Sequence, residues 1–169
     1  EGLRLLRNSW RPGLRAFLEI ENSENILELA HKISSTLNAG EKKDHLNEAY
    51  LILTEKDTDR AKILAKNLLE KSYQKHLRIR EIVNEVEERM LKKLDGKIVF
   101  EGNSNWPLSL LGPVASRICQ RYRKPIFLFR IDEFESQGAV RVPQGQDSVK
   151  AMASCSKILE TYGGHAPAS

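Results

Sequence analysis

The sequence has 169 residues, of which 40% are hydrophobic and 30% are charged, a composition typical of a soluble globular chain. No apolar run approaches the roughly 18 residues that a membrane-spanning helix needs, and no secretion signal is recognisable, which favours a cytoplasmic protein without membrane contact. The formal net charge of +4 favours a polyanionic partner without identifying one.

Residues 1–57 predict a helical connector. Apolar side chains recur three or four positions apart in four short segments, which we expect to be helices: 3–7, 13–19, 24–34 and 45–54. Arg11-Pro12-Gly13 is a strong breaker between the first two helices, and Asn38-Ala39-Gly40 predicts a turn between the last two.

The clearest predicted element is one long helix over residues 58–95. It runs from about Thr58 to Leu94, with Asp57 or Thr58 as its cap and Asp95-Gly96 as its stop. At a rise of 1.5 Å per residue it measures about 54 Å, which is too long for one face of a small domain. We therefore expect it to connect two domains; a coiled-coil dimer is the alternative, although polar residues interrupt the apolar seam.

After Gly96 the composition changes to segments rich in β-branched and aromatic residues, which predict strands at 97–101, 125–131 and 139–142. A helix is expected from about Leu111 to Arg123, with Pro113 in its first turn. Strand, helix and strand in this order predict a right-handed crossover.

A last helix is predicted to begin at the cap residue Asp147 and to end at Tyr162, with Gly163 as its left-handed exit. The predicted fold class is therefore α/β. A helical N-terminal segment and one long connecting helix precede a small α/β domain with a mixed sheet over residues 96–169.

Gly163, Gly164 and His165 form a pattern that suits an anion-binding loop. Glycine reaches positive φ without strain, so that consecutive backbone N–H groups can converge on one anion. An imidazole adds a hydrogen-bond donor or, when protonated, a charge. Taken alone, the pattern also fits an ordinary C-terminal cap of a helix.

The tail 163–169 resembles the Gly-Gly-His-x-x-Ala-(Ala/Ser) signature of the C-terminal domain that accompanies DHH phosphoesterases. Residues 106–117, W-P-L-S-L-L-G-P-V-A-S-R, and then 122–125 are similar to the W-x-x-x-x-x-G-x-V-A-S-R and Y-x-x-P pattern of RecJ-type single-strand-specific exonucleases. Residues 11–18 and 37–40 resemble two earlier segments of that family. The four stretches follow in the family's order and span nearly the whole chain.

The resemblance implies the interdomain helix and C-terminal substrate-binding domain of a RecJ-like enzyme, with divisions at 1–57, 58–95 and 96–169. The parent protein would hydrolyse single-stranded DNA from its 5′ end, with manganese or magnesium held by a catalytic DHH domain. Because this sequence starts at Glu1 and ends inside a motif, we expect it to be part of a longer protein. The expected partners are single-stranded nucleic acid and that DHH domain.

The aspartates and the Asp-His-His motif of the catalytic domain have no counterpart in this sequence. Asp44-His45 is the nearest match, but it lacks the second histidine and lies in a polar run. We therefore expect no catalytic residue and no metal ligand in this chain, and no hydrolysis by the chain alone, because metal-activated water needs several convergent ligands.

Seven residues are candidates for binding phosphate or nucleic acid: Gly163, Gly164, His165, Arg141, Arg117, Ser116 and Trp106. His165 would donate to a phosphate beside the N–H groups of Gly164 and Ala166. The guanidinium of Arg141 matches phosphate geometry, although a surface salt bridge to Glu133 or Glu135 is the alternative.

The other three candidates are less specific. Ser116 and Arg117 follow Gly112-Pro113 on one helical turn and would reach the same phosphates, or Arg117 would instead brace a domain interface. Trp106 would stack on a base, or else pack in the core of the α/β domain.

One departure from the family pattern leaves other functions open. Where the family has Gly-Ser-x-Arg-Ser, this chain has Gly138-Ala139-Val140-Arg141-Val142, so the arginine is present and both hydroxyls are missing. This fits a catalytically inactive scaffold of a replication or repair complex. The terminal signature also occurs in oligoribonucleases, cyclic-dinucleotide phosphodiesterases and alanyl-tRNA synthetases, which keeps those substrates open.

Overall fold

The computed structural model describes residues 11–20, 25–40, 42–43, 46–93 and 96–168. The helix predicted over 3–7 and the Asp44-His45 pair lie outside them. The chain divides into two units, residues 1–76 and 77–169, and the division falls inside the long helix. Each unit has its own hydrophobic core.

In its described residues the first unit contains three short helices, a two-stranded antiparallel ribbon and the beginning of the long helix. Its elements are α1 (Pro12–Ile20), α2 (Ile26–Leu37), β1 (Lys42–Lys43), β2 (Leu46–Asn47), α3 (Glu48–Thr54) and the N-terminal part of α4 (Thr58–Lys92). The core side chains that they share are Ala16, Phe17, Ile52, Ala61, Ala65 and Leu68. Most of the polar side chains on the same helices are exposed, which makes the helices amphipathic.

Side-chain caps fix where these helices begin. Asn25 Oδ1 accepts hydrogen bonds from the backbone N–H groups of Leu27 and Glu28 at the start of α2. Asn47 Oδ1 accepts from Ala49 N at 2.8 Å, so α3 begins at Glu48 and not at the predicted His45. Asp57 Oδ1 accepts from Arg60 N at 2.8 Å, which places the start of α4 where the sequence predicted it.

The second unit is built from a small sheet and its helices. After the C-terminal part of α4 come β3 (Val99–Gly102), α5 (Leu108–Tyr122), β4 (Ile126–Ile131), β5 (Ser136–Arg141) and α6 (Ser148–Ala153). The strand order is β3-β4-β5; β3 is parallel to β4, and β5 is antiparallel to β4. This confirms the predicted α/β fold class with a mixed sheet.

The two faces of this sheet differ. Val99, Ile126 and Leu128 are buried against α4 and α5. On the opposite face the ring of Phe100 is 63% exposed and lies 4.8 Å from the ring of Phe129, between ring centroids. Because side chains alternate along a strand, the register of β5 decides which of its residues face α5.

Two predicted helices have different bounds in the structure. α5 begins at Leu108, so Pro113 lies inside the helix and not in its first turn, and the proline removes one backbone donor there. α6 ends at Ala153 and not at Tyr162: beyond it the N–H groups of Cys155 and Ser156 bond three residues back, to Met152 O and Ala153 O, so the α-helical pattern does not continue. None of the helices in the described ranges is long and apolar enough to cross a membrane.

Candidate phosphate-binding site

Arg141, the last residue of β5, points toward α5. It pairs with Ile126 in the β4–β5 register, and Ile126 is a core residue on the face that α5 covers. Arg141 Nε donates to Ser116 Oγ at 3.1 Å, and Nη1 donates to its neighbour Val140 O at 2.7 Å. Two hydrogen bonds therefore fix the guanidinium plane against the helix.

The remaining donors of Arg141 have no partner among the residues that the structure describes. A guanidinium carries five N–H donors, and the described residues provide acceptors for only two of them. No ion pair to Glu133, Glu135 or any other described carboxylate forms; Glu135 instead accepts from Gln137 Nε2 at 2.8 Å. The Nη2 group is therefore free to bind an anion from outside the protein.

Gly112 lets the guanidinium lie close to α5. A Cβ built at Gly112 would be 3.1 Å from Arg141 Nη2, tighter than almost all real contacts of a Cβ atom. Ser116 lies one turn further along the same helix. Gly112 and Ser116 therefore form the surface of α5 on which the Arg141 guanidinium lies, which gives the G-x-x-x-S part of the sequence motif a structural reason.

The C-terminal segment runs beside the end of β5. Ala168 forms an antiparallel bridge with Arg141, and Val142 N donates to Pro167 O at 3.2 Å. Ser148, which is fully buried, donates to Ala166 O from both its N–H, at 2.8 Å, and its Oγ, at 3.0 Å. These bonds bring the terminal loop to the strand that carries Arg141.

A tight turn shapes the loop itself. Gly164 has a φ of +140°, a conformation that side chains disfavour, whereas Gly163, the residue predicted to be left-handed, does not have positive φ. His165 N donates to Ala168 O at 2.7 Å, and Ala168 N donates back to His165 O at 2.8 Å. Among the described residues the N–H groups of Gly164 and Ala166 have no acceptor, and the imidazole of His165 is exposed.

Arg117 and Trp106 lie apart from this arrangement. Arg117 is exposed on α5 and makes no hydrogen bond or ion pair within the described ranges. Trp106 is 0% exposed in the core, and its Nε1 donates to Glu85 Oε2 at 2.8 Å. A fully buried indole cannot stack on a base, so the structure favours the core interpretation of Trp106.

Glu85 is a residue that the sequence reasoning missed. Burial raises its pKa, but hydrogen bonds from Trp106 Nε1 and Asn103 Nδ2 and the charge of Arg89 outweigh this effect and lower the pKa overall. Arg89 also lies over the Trp106 ring, 5.2 Å from its centroid. The ionised carboxylate therefore fixes the loop that leads into α5. The i,i+4 spacing of Glu85 and Arg89 was the available signal.

Scanning the chain against models of known protein families gives no match. Among curated proteins, it is 23% identical over 171 residues to the single-stranded-DNA-specific exonuclease RecJ of Bacillus subtilis, a match that covers 97% of this chain and 22% of that protein. It is 28% identical to RecJ of Thermus thermophilus, covering 100% of this chain and 25% of that protein. The chain thus spans about a quarter of the length of these relatives.

Solved structures of RecJ have the same fold over nearly the whole of this chain. RecJ of Thermus thermophilus in complex with Mg²⁺ superimposes with a TM-score of 0.79 at 24% identity, covering 99% of this chain and 26% of the other. The same protein in complex with Mn²⁺ gives 0.80. The chain resembles a part of RecJ. A third structure, of an exonuclease RecJ bound to manganese, gives 0.78 and is covered to 42%.

These neighbours show that the RecJ-like chain has the fold of a RecJ segment, and the solved RecJ proteins are bound to Mg²⁺ or Mn²⁺. Among the residues described here, no group of three or more His, Cys, Asp or Glu side chains is arranged to hold a metal ion. The arrangement at Arg141 is instead suited to binding an anion.

In this RecJ-like chain, Gly112→Ala is expected to weaken anion binding and to change stability by less than about 1 kcal/mol. Alanine is favoured over glycine inside a helix by about 0.5–1 kcal/mol, but a Cβ on the residue before Pro113 meets the proline ring and opposes that gain. The added methyl group would lie 3.1 Å from Arg141 Nη2 and displace the guanidinium by a few tenths of an ångström. Thermal unfolding and binding of labelled single-stranded DNA measure the two effects.

Ser109→Ala is the matched control, because Ser109 is exposed on the same helix and, among the described residues, forms no hydrogen bond with Arg141. It should leave DNA affinity unchanged. A Gly112→Ala variant that binds as tightly as the parent would show that the position of Nη2 does not matter.

Proposed function

We propose that this chain is the single-stranded-nucleic-acid-binding portion of a RecJ-like 5′-3′ exonuclease, and that Arg141 and the loop 163–168 hold a phosphate of the strand. The observation that carries the proposal is how the guanidinium of Arg141 is bonded. Its guanidinium is fixed by Ser116 and Val140 O, and Nη2, which lies near Gly112, has no partner among the described residues, while the backbone of Arg141 is bridged to Ala168 of the terminal loop.

The chemistry of this site favours a phosphate over other anions. A planar guanidinium fits two oxygens of a phosphate, and charge-assisted hydrogen bonds are about twice as strong as neutral ones. The N–H groups of Gly164 and Ala166, which have no acceptor among the described residues, would add two neutral hydrogen-bond donors. The imidazole of His165 would add another. Ser116 accepts from Arg141 through its oxygen, so its hydroxyl proton is available to the same ligand.

The same proposal assigns different roles to two parts of the parent protein. A DHH domain would hold manganese or magnesium and supply the activated water, while this chain orients the strand; the divisions at 57 and 95 stay predictions. The chain by itself is then inactive. Metal-dependent hydrolysis of single-stranded DNA by the purified chain would contradict this.

Arg141→Ala is expected to weaken binding of a labelled oligothymidylate about tenfold or more, because charge-assisted hydrogen bonds contribute about 1.5–3 kcal/mol each. The dependence of log affinity on log salt should become shallower by about 0.7, the value for one phosphate contact on a single strand. His165→Ala should lower affinity in the same direction. Fluorescence anisotropy across a salt series measures both, with a duplex of equal length for comparison.

Two controls match these substitutions. Arg130→Ala removes the same charge from the other end of β4, where Arg130 is already paired with Asp132 at 2.6 Å. His31→Ala removes an exposed histidine from α2. Both should bind like the parent. Equal affinity for duplex and single strand, or binding indifferent to Arg141→Ala, would overturn the proposal.

A further inference from the structure

Arg123 occupies a backbone position that normally favours glycine. It ends α5 with φ 54° and ψ 34°, and its N–H donates to Cys119 O at 2.9 Å, as in a left-handed helix cap. It is the one non-glycine residue with positive φ in the described ranges. Left-handed backbone is unfavourable for residues that carry a Cβ, so local structure alone would favour glycine here.

The side chain of Arg123 is exposed and unpaired, unlike those of its neighbours. Arg121 forms an ion pair with Glu87, and Lys124 Nζ donates to Gly96 O at 2.7 Å. Within the described ranges Arg123 has neither an ion pair nor a side-chain hydrogen bond. Among the three cationic side chains of the stretch 121–124, that of Arg123 is therefore the one without a partner in the described residues.

Arg123 lies at the same end of the sheet as Arg141. It comes three residues before Ile126, the residue that faces Arg141 in the β4–β5 register. Burial raises the pKa of the Cys119 thiol, and the charges of both Arg123 and Arg141 oppose that rise. Among the described residues neither guanidinium group has a carboxylate partner. Two like charges at one end of the sheet, without a counter-ion in the described residues, favour an anion from outside.

We propose that Arg123 is the second cation of the Arg141 site and binds the phosphate adjacent to the one that Arg141 holds on the same single strand. This inference rests on the proposed function. It identifies the ligand as a strand with at least two consecutive phosphates, whose backbone passes from the terminal loop along the end of α5.

Arg123→Gly tests this without damaging the fold. Glycine relieves the left-handed backbone, so the midpoint of thermal unfolding should stay the same or rise. The affinity for a labelled oligothymidylate should fall about tenfold, and the salt slope should become shallower by about 0.7. Arg123→Lys keeps the charge and the backbone, so its salt slope should stay close to that of the parent chain. Arg130→Ala is the control for charge alone.

The possible results separate the two proposals. If Arg123→Gly binds like the parent while Arg141→Ala is weakened, the second phosphate contact is wrong and the proposed function stands. If the parent does not prefer single strands, or Arg141→Ala has no effect, the proposed function fails and this inference fails with it. An additive loss of slope in the double variant, by about 1.4, is the result expected for two separate phosphates.

Discussion

Replacing Trp106 by alanine is expected to lower the free energy of unfolding by about 3–5 kcal/mol, the largest effect that we predict for any substitution in this chain. The indole is 0% exposed and packs among the buried side chains of the second unit. Its removal leaves a cavity and takes the Nε1 donor away from Glu85. Urea denaturation followed by far-UV circular dichroism measures the loss.

Two further variants show which part of the indole is responsible. Phe134→Ala deletes an aromatic ring that is 93% exposed and should change stability by less than about 0.5 kcal/mol. Trp106→Phe keeps most of the ring volume but leaves Glu85 without one donor, so an intermediate loss is expected. A Trp106→Ala variant as stable as Phe134→Ala would mean that the indole is not part of the core.

Gly138→Ala is the second substitution with a large expected effect. A Cβ at this position would lie 2.1 Å from Leu128 O and 2.8 Å from Phe129 Cβ. The carbonyl belongs to the backbone of β4, so the clash cannot be relieved by rotating a side chain, and the β4–β5 pairing must shift. We expect a loss of about 1–3 kcal/mol in unfolding free energy, the usual cost of overpacking.

The same shift should weaken DNA binding, because β5 carries Arg141 and its pairing with β4 aims that side chain at α5. Gln137→Ala is the matched control. Gln137 is the exposed residue before Gly138 on β5, and among the described residues its side chain bonds only to the exposed Glu135. It should leave stability and affinity close to those of the parent. A Gly138→Ala variant that retains both would show that β5 can move away from β4 without disturbing Arg141.

Local signals in the sequence determined most of the elements. The cap at Asp57 and the helical periodicity after it predicted α4 almost to its last residue, because a capped amphipathic helix needs no distant contact to define its start. The three β-rich segments with a helix between the first two predicted the strands of the mixed sheet, because strand propensity and turn residues are local signals. The end of α6 was predicted wrongly: the bonding changes from i→i−4 to i→i−3 after Ala153, at a point that periodicity did not reveal.

Part of the chemistry of the candidate site could also be predicted from the sequence. Arg141, Ser116 and the glycines of the tail are residue types that suit phosphate, and their spacing resembles a known family. Which of them meet was a matter of tertiary structure. The β4–β5 register sets the face on which Arg141 lies, and a shift of one residue would have turned it away from Ser116.

Trp106 and Arg123 show most clearly which features could not be predicted from the sequence. An indole that follows a polar turn is compatible with a base platform or with the core, and only the burial against Glu85 decided for the core. Arg123 is one of several arginines in a basic stretch, and only its left-handed backbone and missing partner distinguish it. The sequence by itself determined most of the helices and strands, since those depend on neighbours in the chain, but not the β1–β2 ribbon or the end of α6. The tertiary structure decided which side chains remain free to bind a ligand, since that depends on contacts between residues far apart in sequence.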